Sequence, residues 1–282
     1  MKIDATRFRM FTRNPEQYRL YQCIGYKAIE QSRALLLGIA GHEFMDADAR
    51  GKEFSAVFRE LKEQGISAEL IATAEVLAKR LIEDYPADKS SVMLSEREFV
   101  YQIPGSPHQL VGKMDRVILL PNTVKEPQFG ILDWKFKSKP GYRQQMYEQE
   151  KIVDVQPMFY VLGATTFGYQ AEEFTFVTAV KSVPIDIWKT PVPKERFSPD
   201  NLARFERQVH MVCEAIEFFT RTFGIAEPWP HYNHAFPCSK ESYCEYRHIC
   251  NEVHTPGIFP PGFCQKEDHL EVMKETNDAA SK

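Results

Sequence analysis

Between Gly112 and Lys135 the chain reads Gly-Lys-Met-Asp115-Arg116-Val-Ile-Leu-Leu, then Pro121-Asn122-Thr123, then Phe129-Gly-Ile-Leu-Asp133-Trp134-Lys135. Two short apolar runs around turn-forming residues predict a β-hairpin with its first arm over 109–120. Side chains alternate along a strand, so Asp133 and Lys135 share one face and Trp134 takes the other. Asp115 begins the partner strand, where twist can bring its carboxylate beside Asp133. Two carboxylates and an ammonium would then converge at one strand end. Oxygen ligands of this kind suit Mg²⁺ or Mn²⁺, and a cation held there can activate water and absorb charge on a phosphodiester. Taken alone, Asp-x-Lys is better read as a solvated hairpin with ordinary surface Asp and Lys, because short motifs recur by chance.

Other residues change that balance. Gly112-x-x-Asp115-Arg116 and Asp133-Trp134-Lys135 are preceded by Gly38-x-x-x-His42 and followed by Gln156-x-x-x-Tyr160, with Glu98 on the strand before the hairpin. This ordered set resembles the RecB-like branch of the PD-(D/E)XK nucleases and spans residues 38–160. The resemblance implies a restriction-endonuclease-like α/β core, a mixed sheet flanked by helices. It implies a metal site of His42, Asp115, Asp133 and the Trp134 backbone carbonyl, with Lys135 orienting the attacking water. Gln156 and Tyr160 would hold the strand or the water network. The expected activity is metal-dependent DNA hydrolysis, with an exonuclease on single strands or duplex ends as its form. A non-cleaving recombination accessory protein and a metal-stabilised scaffold are the alternatives.

The 282-residue chain is long enough for one large domain, and 43% apolar with 26% charged residues describes an ordinary globular protein. No apolar run reaches the ~18 residues of a membrane helix, and the N-terminus lacks a secretory hydrophobic region. The expectation is a cytoplasmic protein with no membrane partner, in a host cytoplasm if phage-encoded. A net charge of −4 says little about a local groove. Lys137, Lys139 and Arg143 follow the hairpin and could steer a phosphate backbone toward the carboxylates. No Gly-x4-Gly-Lys-Ser/Thr stretch occurs, so any unwinding would come from a helicase or recombination protein in trans.

Taken in order, 14–37 reads as one long helical segment that starts at Asn14-Pro15. Gly38 would let the chain approach closely one turn before His42, and Asp46 could orient that imidazole. Residues 53–65 and 68–84 stripe as amphipathic helices. A strand over 94–103, the turn Pro104-Gly105-Ser106-Pro107, and a polar loop from Lys137 to Glu150 follow. Asp154 can cap a helix that carries Gln156 and Tyr160, four apart on one face, with Gly168 at its far end. Strands over 173–180 and 185–192 and a long amphipathic helix over 199–223 complete the regular part. The whole suggests about four or five strands in one sheet. Domain bounds follow: a single domain over 1–265, with a helical part 14–85, a core near 94–223, a Cys-rich segment 231–264 and a disordered tail 266–282.

Six cysteines in a chain expected in the cytosol argue against a disulfide framework. Cys238, Cys244 and Cys250 recur in a loop-rich segment, and Cys213 and Cys264 remain besides. Some RecB-like nucleases close their domain with a [4Fe–4S] cluster, which implies Cys23, Cys238, Cys244 and Cys250 as ligands here. The Cys238–Cys244 interval departs from the family's Cys-x2-Cys spacing. Zinc with His248 or His254 and packed, metal-free thiols stay open as alternatives.

Overall fold

The computed structural model describes residues 1–28, 31–86, 91–121, 127–137, 144–230, 246, 254, 258–261 and 263–265. In chain order they carry strand β1 (Lys2–Ile3), helices α1 (Ala5–Arg13) and α2 (Pro15–Tyr18), a π-helical turn (Arg19–Ile24) and strand β2 (Tyr26–Ala28). Helices α3 (Arg33–Arg50), α4 (Phe54–Glu63) and α5 (Ala68–Asp84) precede strands β3 (Val92–Gln102), β4 (Gln109–Leu119) and β5 (Phe129–Lys137). Helices α6 (Gln144–Ile152) and α7 (Gln156–Thr165), strands β6 (Ala171–Val180) and β7 (Asp186–Val192), helix α8 (Pro199–Phe223) and strand β8 (Phe263–Gln265) follow. They sort into two compact units, residues 31–101 with 111–202, and residues 1–30 with 102–110 and 203–282.

The first of these units holds the hairpin. β4 and β5 pair antiparallel from Leu119–Phe129 to Arg116–Leu132, β5 and β6 pair parallel, and β6 and β7 antiparallel, with β3 beside β4. A parallel neighbour needs a crossover, and α6 and α7 supply it. This is the mixed sheet flanked by helices expected from the sequence.

Alternation along β5 divides the layers. Leu132, Trp134 and Phe136 join Val177 and Ala179 in a core with Leu37, Phe44, Leu61, Ile71 and Leu81 from α3, α4 and α5. The opposite face carries Asp133, Lys135 and Lys137 and meets the crossover helices: the Tyr147 and Thr178 hydroxyls lie 3.0 Å apart, and the Tyr160 ring packs on Phe174 at 6.1 Å. Lys137 stacks its ammonium on Tyr147 at 3.6 Å and lies 5.8 Å from the Trp188 ring. Glycine allows the closest approaches, with Gly112 and Gly130 also near Phe99 and Leu120, where a Cβ would sit 2.9 Å away. A Cβ at Gly41 would sit 2.4 Å from the Phe136 ring, and one at Gly163 would sit 2.6 Å from Phe99. Gly38 has open space around it, so the tight glycine next to His42 is Gly41 and not Gly38.

The long helix expected over 14–37 is interrupted. Asn14 accepts from the Glu16 and Gln17 amides and starts α2, as its cap chemistry requires. The following π-helical turn ends at Gly25, left-handed at φ 84, and the chain becomes extended before α3 restarts at Arg33. Sequence periodicity also missed α1, which Asp4 caps by accepting from the Arg7 amide at 2.7 Å. In this second unit Arg19 pairs with Glu16 at 2.7 Å, and the Trp229 amide donates to the same carboxylate at 2.8 Å. Phe11, Tyr18, Phe219 and Trp229 pack around that pair. The stretch expected to be a polar loop from Lys137 to Glu150 contains most of α6, whose Tyr147 is buried beneath polar neighbours.

Candidate active site

The antiparallel ladder stops at Arg116–Leu132, and chemistry begins at the next step. Asp115 Oδ2 accepts from the Trp134 backbone amide at 2.6 Å, so the β4 carboxylate takes a main-chain donor of β5. Asp133 is fully buried, its Oδ1 accepting from Gln156 Nε2 at 2.8 Å, while Lys135 forms an ion pair with Oδ2. Gln156 also donates to the Tyr160 hydroxyl at 2.8 Å. Asp154 holds the start of α7 by accepting from the Gln156 amide at 3.0 Å. His42 reaches the carboxylates from α3, with Nδ1 3.7 Å from Asp115 Oδ1, beyond hydrogen-bond range.

One carboxylate in the site, Glu96, is not picked out by the sequence pattern. Glu96 on β3 is buried and adopts φ 49, a left-handed backbone unusual for a non-glycine residue. Its Oε2 meets Lys113 Nζ at 3.0 Å, and its Oε1 has no hydrogen-bond partner among the described residues. Glu96, Asp115 and His42 place ligand atoms within 4.8 Å of one another. Glu98, the strand glutamate expected from the resemblance, is exposed. Asp46 turns to Arg50 at 3.0 Å and to Lys113 at 3.7 Å, so it serves those cations instead of orienting His42.

Electrostatics set these groups apart from surface residues. Burial lifts the Asp115 and Asp133 carboxyls from 3.8 to about 6, with Lys135 opposing the shift in both. Burial, with Asp115 nearby, lifts Glu96 from 4.5 to about 8. Burial and then the Lys135 ammonium push His42 down from 6.5 to about 4, which keeps the imidazole neutral and able to ligate. Three desolvated carboxylates and one neutral imidazole form an oxygen-rich, cation-deficient cradle. A divalent cation of the Mg²⁺ or Mn²⁺ kind fits that donor set, with the orphaned Glu96 Oε1 as the clearest sign that positive charge is short.

Arg116 is buried behind the hairpin. It donates to the Tyr85 carbonyl at the end of α5 and lies over the Trp134 ring at 5.1 Å. It therefore holds the strand that presents Asp133 and does not face the site. Lys139, Arg143, Cys238, Cys244, Cys250, His248 and the tail 266–282 lie outside the described residues. Cys23 is among them, buried in the π-helical turn with its thiol pushed up to about 12 by that burial. No helix among the described residues is long and apolar enough to cross a membrane.

A fold of this topology with an Asp–Asp–Lys set at one sheet position defines a class of metal-using phosphodiesterases. A model of the PD-(D/E)XK nuclease superfamily matches residues 3–251, and the chain belongs to that superfamily. The crystal structure of a candidate exonuclease from Eubacterium rectale is similar in fold, with TM-score 0.55, 17% identity, and coverage of 91% of this chain and 90% of that one. A second solved structure, SSO0001, matches with TM-score 0.32 and 12% identity over 74% of this chain and 76% of that one. No curated protein matches the chain.

Proposed function

We propose that the protein is a divalent-metal-dependent DNA nuclease that works from strand ends. The observation that carries this reading is the cluster of Asp115, Glu96 and neutral His42 beside Asp133, which pairs with Lys135 and accepts from Gln156, the two aspartates being linked through the Trp134 amide. The end preference rests on the likeness to the Eubacterium rectale protein and to the RecB-like motifs.

Asp115, Asp133, His42 and the Trp134 carbonyl would hold the cation, with Glu96 as a further oxygen donor. When bound, a divalent cation supplies Lewis acidity toward water and the scissile phosphate. The remaining work belongs to the chain. Lys135 holds the water for attack and offsets charge that develops on the phosphate oxygens. Gln156 fixes the rotation of the Asp133 carboxylate, and Tyr160 fixes Gln156. Lys113 offsets the charge of Glu96 through its contact with Oε2. Lys137, Lys139 and Arg143 contribute non-specific attraction to the backbone.

Incubation with end-labelled single- and double-stranded DNA in Mg²⁺, Mn²⁺ or EDTA tests the proposal. Mononucleotide release from labelled ends in metal and none in EDTA is expected. Binding without cleavage in either metal would leave the accessory-protein reading. A [4Fe–4S] cluster on Cys23, Cys238, Cys244 and Cys250 is the finer part of the proposal; iron-free, colourless protein purified without oxygen would end it and leave the nuclease reading intact.

A further inference from the structure

A second constellation lies within the unit formed by residues 1–30, 102–110 and 203–282, and nuclease chemistry makes no use of it. The segment Pro104-Gly105-Ser106-Pro107 makes a tight turn, as its composition predicts: the Ser106 amide donates to the Ile103 carbonyl at 3.1 Å, and Gly105 has φ 70. The turn delivers His108, which is 1% exposed, against helix α8. There His108 Nε2 lies 2.8 Å from Glu214 Oε1, and its Nδ1 lies 2.9 Å from the Met1 amine. His210, one helical turn before Glu214, points its Nδ1 at Ser106 Oγ, 2.8 Å away. The same hydroxyl accepts from the His108 amide at 3.2 Å.

At His210 these contacts have the form of a metal ligand with its supporting shell. Histidine ligands commonly donate their other ring N–H to an oxygen, which fixes the tautomer and turns the free nitrogen to the metal. Ser106 Oγ has a second lone pair for an Nδ1–H of His210, which leaves Nε2 bare. Residues i and i+4 share a helix face, so His210 and Glu214 form a chelating pair, and His108 faces them from the turn. One ligand atom from each of His108, His210 and Glu214 lies within 4.8 Å of the others. Bonds of 2.0–2.1 Å in a tetrahedral zinc site put ligand atoms about 3.4 Å apart. Small side-chain rotations close the difference.

We propose that His108, His210 and Glu214 bind one zinc ion, which clamps the 103–108 turn to helix α8. Two imidazoles favour a borderline cation such as Zn²⁺ over the hard Mg²⁺ or Mn²⁺ suited to the carboxylate site. Three protein ligands leave one position for water. The bond from Nε2–H of His108 to Glu214 gives way to two metal bonds; Nδ1 takes a proton from the Met1 ammonium that faces it at 2.9 Å, so His108 stays neutral and loading releases one proton overall.

The test counts zinc in the full chain. Protein stripped with EDTA is dialysed against micromolar Zn²⁺ and assayed for metal per chain, with Asp133→Asn present throughout to silence the carboxylate site. His210→Ala in that background is expected to hold one zinc fewer per chain, whatever the cysteines hold. Glu214→Gln, a change of nearly equal shape at an exposed position, is expected to weaken the same site at least tenfold by calorimetry. In the otherwise unaltered chain, His210→Ala is expected to leave Mn²⁺-dependent cleavage unchanged. Equal zinc content and affinity in all three proteins would overturn the proposal and leave a metal-free hydrogen-bonded hub.

Discussion

Replacing Gln156 with Leu asks whether that side chain serves the carboxylate or the nucleic acid. In the structure Gln156 Nε2 donates to Asp133 Oδ1 and to the Tyr160 hydroxyl, each at 2.8 Å. Leucine keeps the volume and removes the donor. A hydrogen bond to a charged group contributes about 1.5–3 kcal/mol, which at about 1.4 kcal/mol per decade is about a 10- to 150-fold loss. That loss should appear as weaker Mn²⁺ binding by calorimetry and slower single-turnover cleavage. DNA affinity measured in EDTA should not move. Tyr160→Phe removes only the outer partner of Gln156, a neutral bond worth about 0.5–1.5 kcal/mol, so about 2- to 12-fold is expected. If Gln156→Leu weakens DNA binding while Mn²⁺ affinity stays at the wild-type value, the positioning argument fails and the side chain contacts the strand.

Three further outcomes follow from the same geometry. Glu96→Gln should weaken Mn²⁺ binding and cleavage together, whereas Glu98→Gln at its exposed position should change neither; calorimetry and end-label release separate them. Gly41→Ala should lower Tm, because overpacking against Phe136 costs about 1–3 kcal/mol against a helix-propensity gain of about 1, while Gly38→Ala, with open space, should raise it. In metal-free protein the raised carboxyls of Asp115, Asp133 and Glu96 stabilise the fold below their unfolded values near 4, and that contribution is lost as pH climbs through about 6 and then about 8. His42, depressed to about 4, works the other way between about 4 and 6.5 but is one group against three. Added Mn²⁺ should therefore raise Tm more at pH 8 than at pH 5.5, and an equal or smaller rise at pH 8 would contradict the buried-carboxylate account.

The hairpin, both middle helices and the last two strands of the sheet were legible because their patterns are strictly periodic and bounded by turn residues. Asp115, Asp133 and Lys135 were legible too: strand alternation puts Asp133 and Lys135 on one face, and the pairing of the hairpin arms brings Asp115 from the neighbouring strand. Glu96 was not. In a regular strand residues 96 and 98 share a face, but the left-handed backbone at Glu96 breaks the alternation, so Glu96 and Phe99 turn inward while Arg97 and Glu98 face solvent. A backbone irregularity of that kind leaves no mark on a period-two count. The break at Gly25 was hidden by the aromatic and apolar residues on both sides, which continue a helical stripe through a segment that is not a helix. Gly41 was passed over in favour of Gly38 because the motif spacing pointed to Gly38, while the close contact comes from Phe136, far along the chain. His108 and His210 lie about a hundred residues apart, so no local spacing could announce them.

The most direct measurement pairs Asp133→Ala with Lys135→Ala, following Mn²⁺ binding and cleavage of end-labelled DNA on both at pH 8. Asp133→Ala should lose cleavage and most Mn²⁺ affinity while still binding DNA in EDTA, since backbone affinity comes from Lys and Arg. Lys135→Ala should keep Mn²⁺ binding, because the carboxylates and the imidazole remain in place and the substitution removes a cation that competes for Asp133. Its cleavage should slow about a hundred- to a thousandfold, the loss of about 2.7–4 kcal/mol that removing one transition-state donor brings. Wild-type cleavage by both variants would contradict the account.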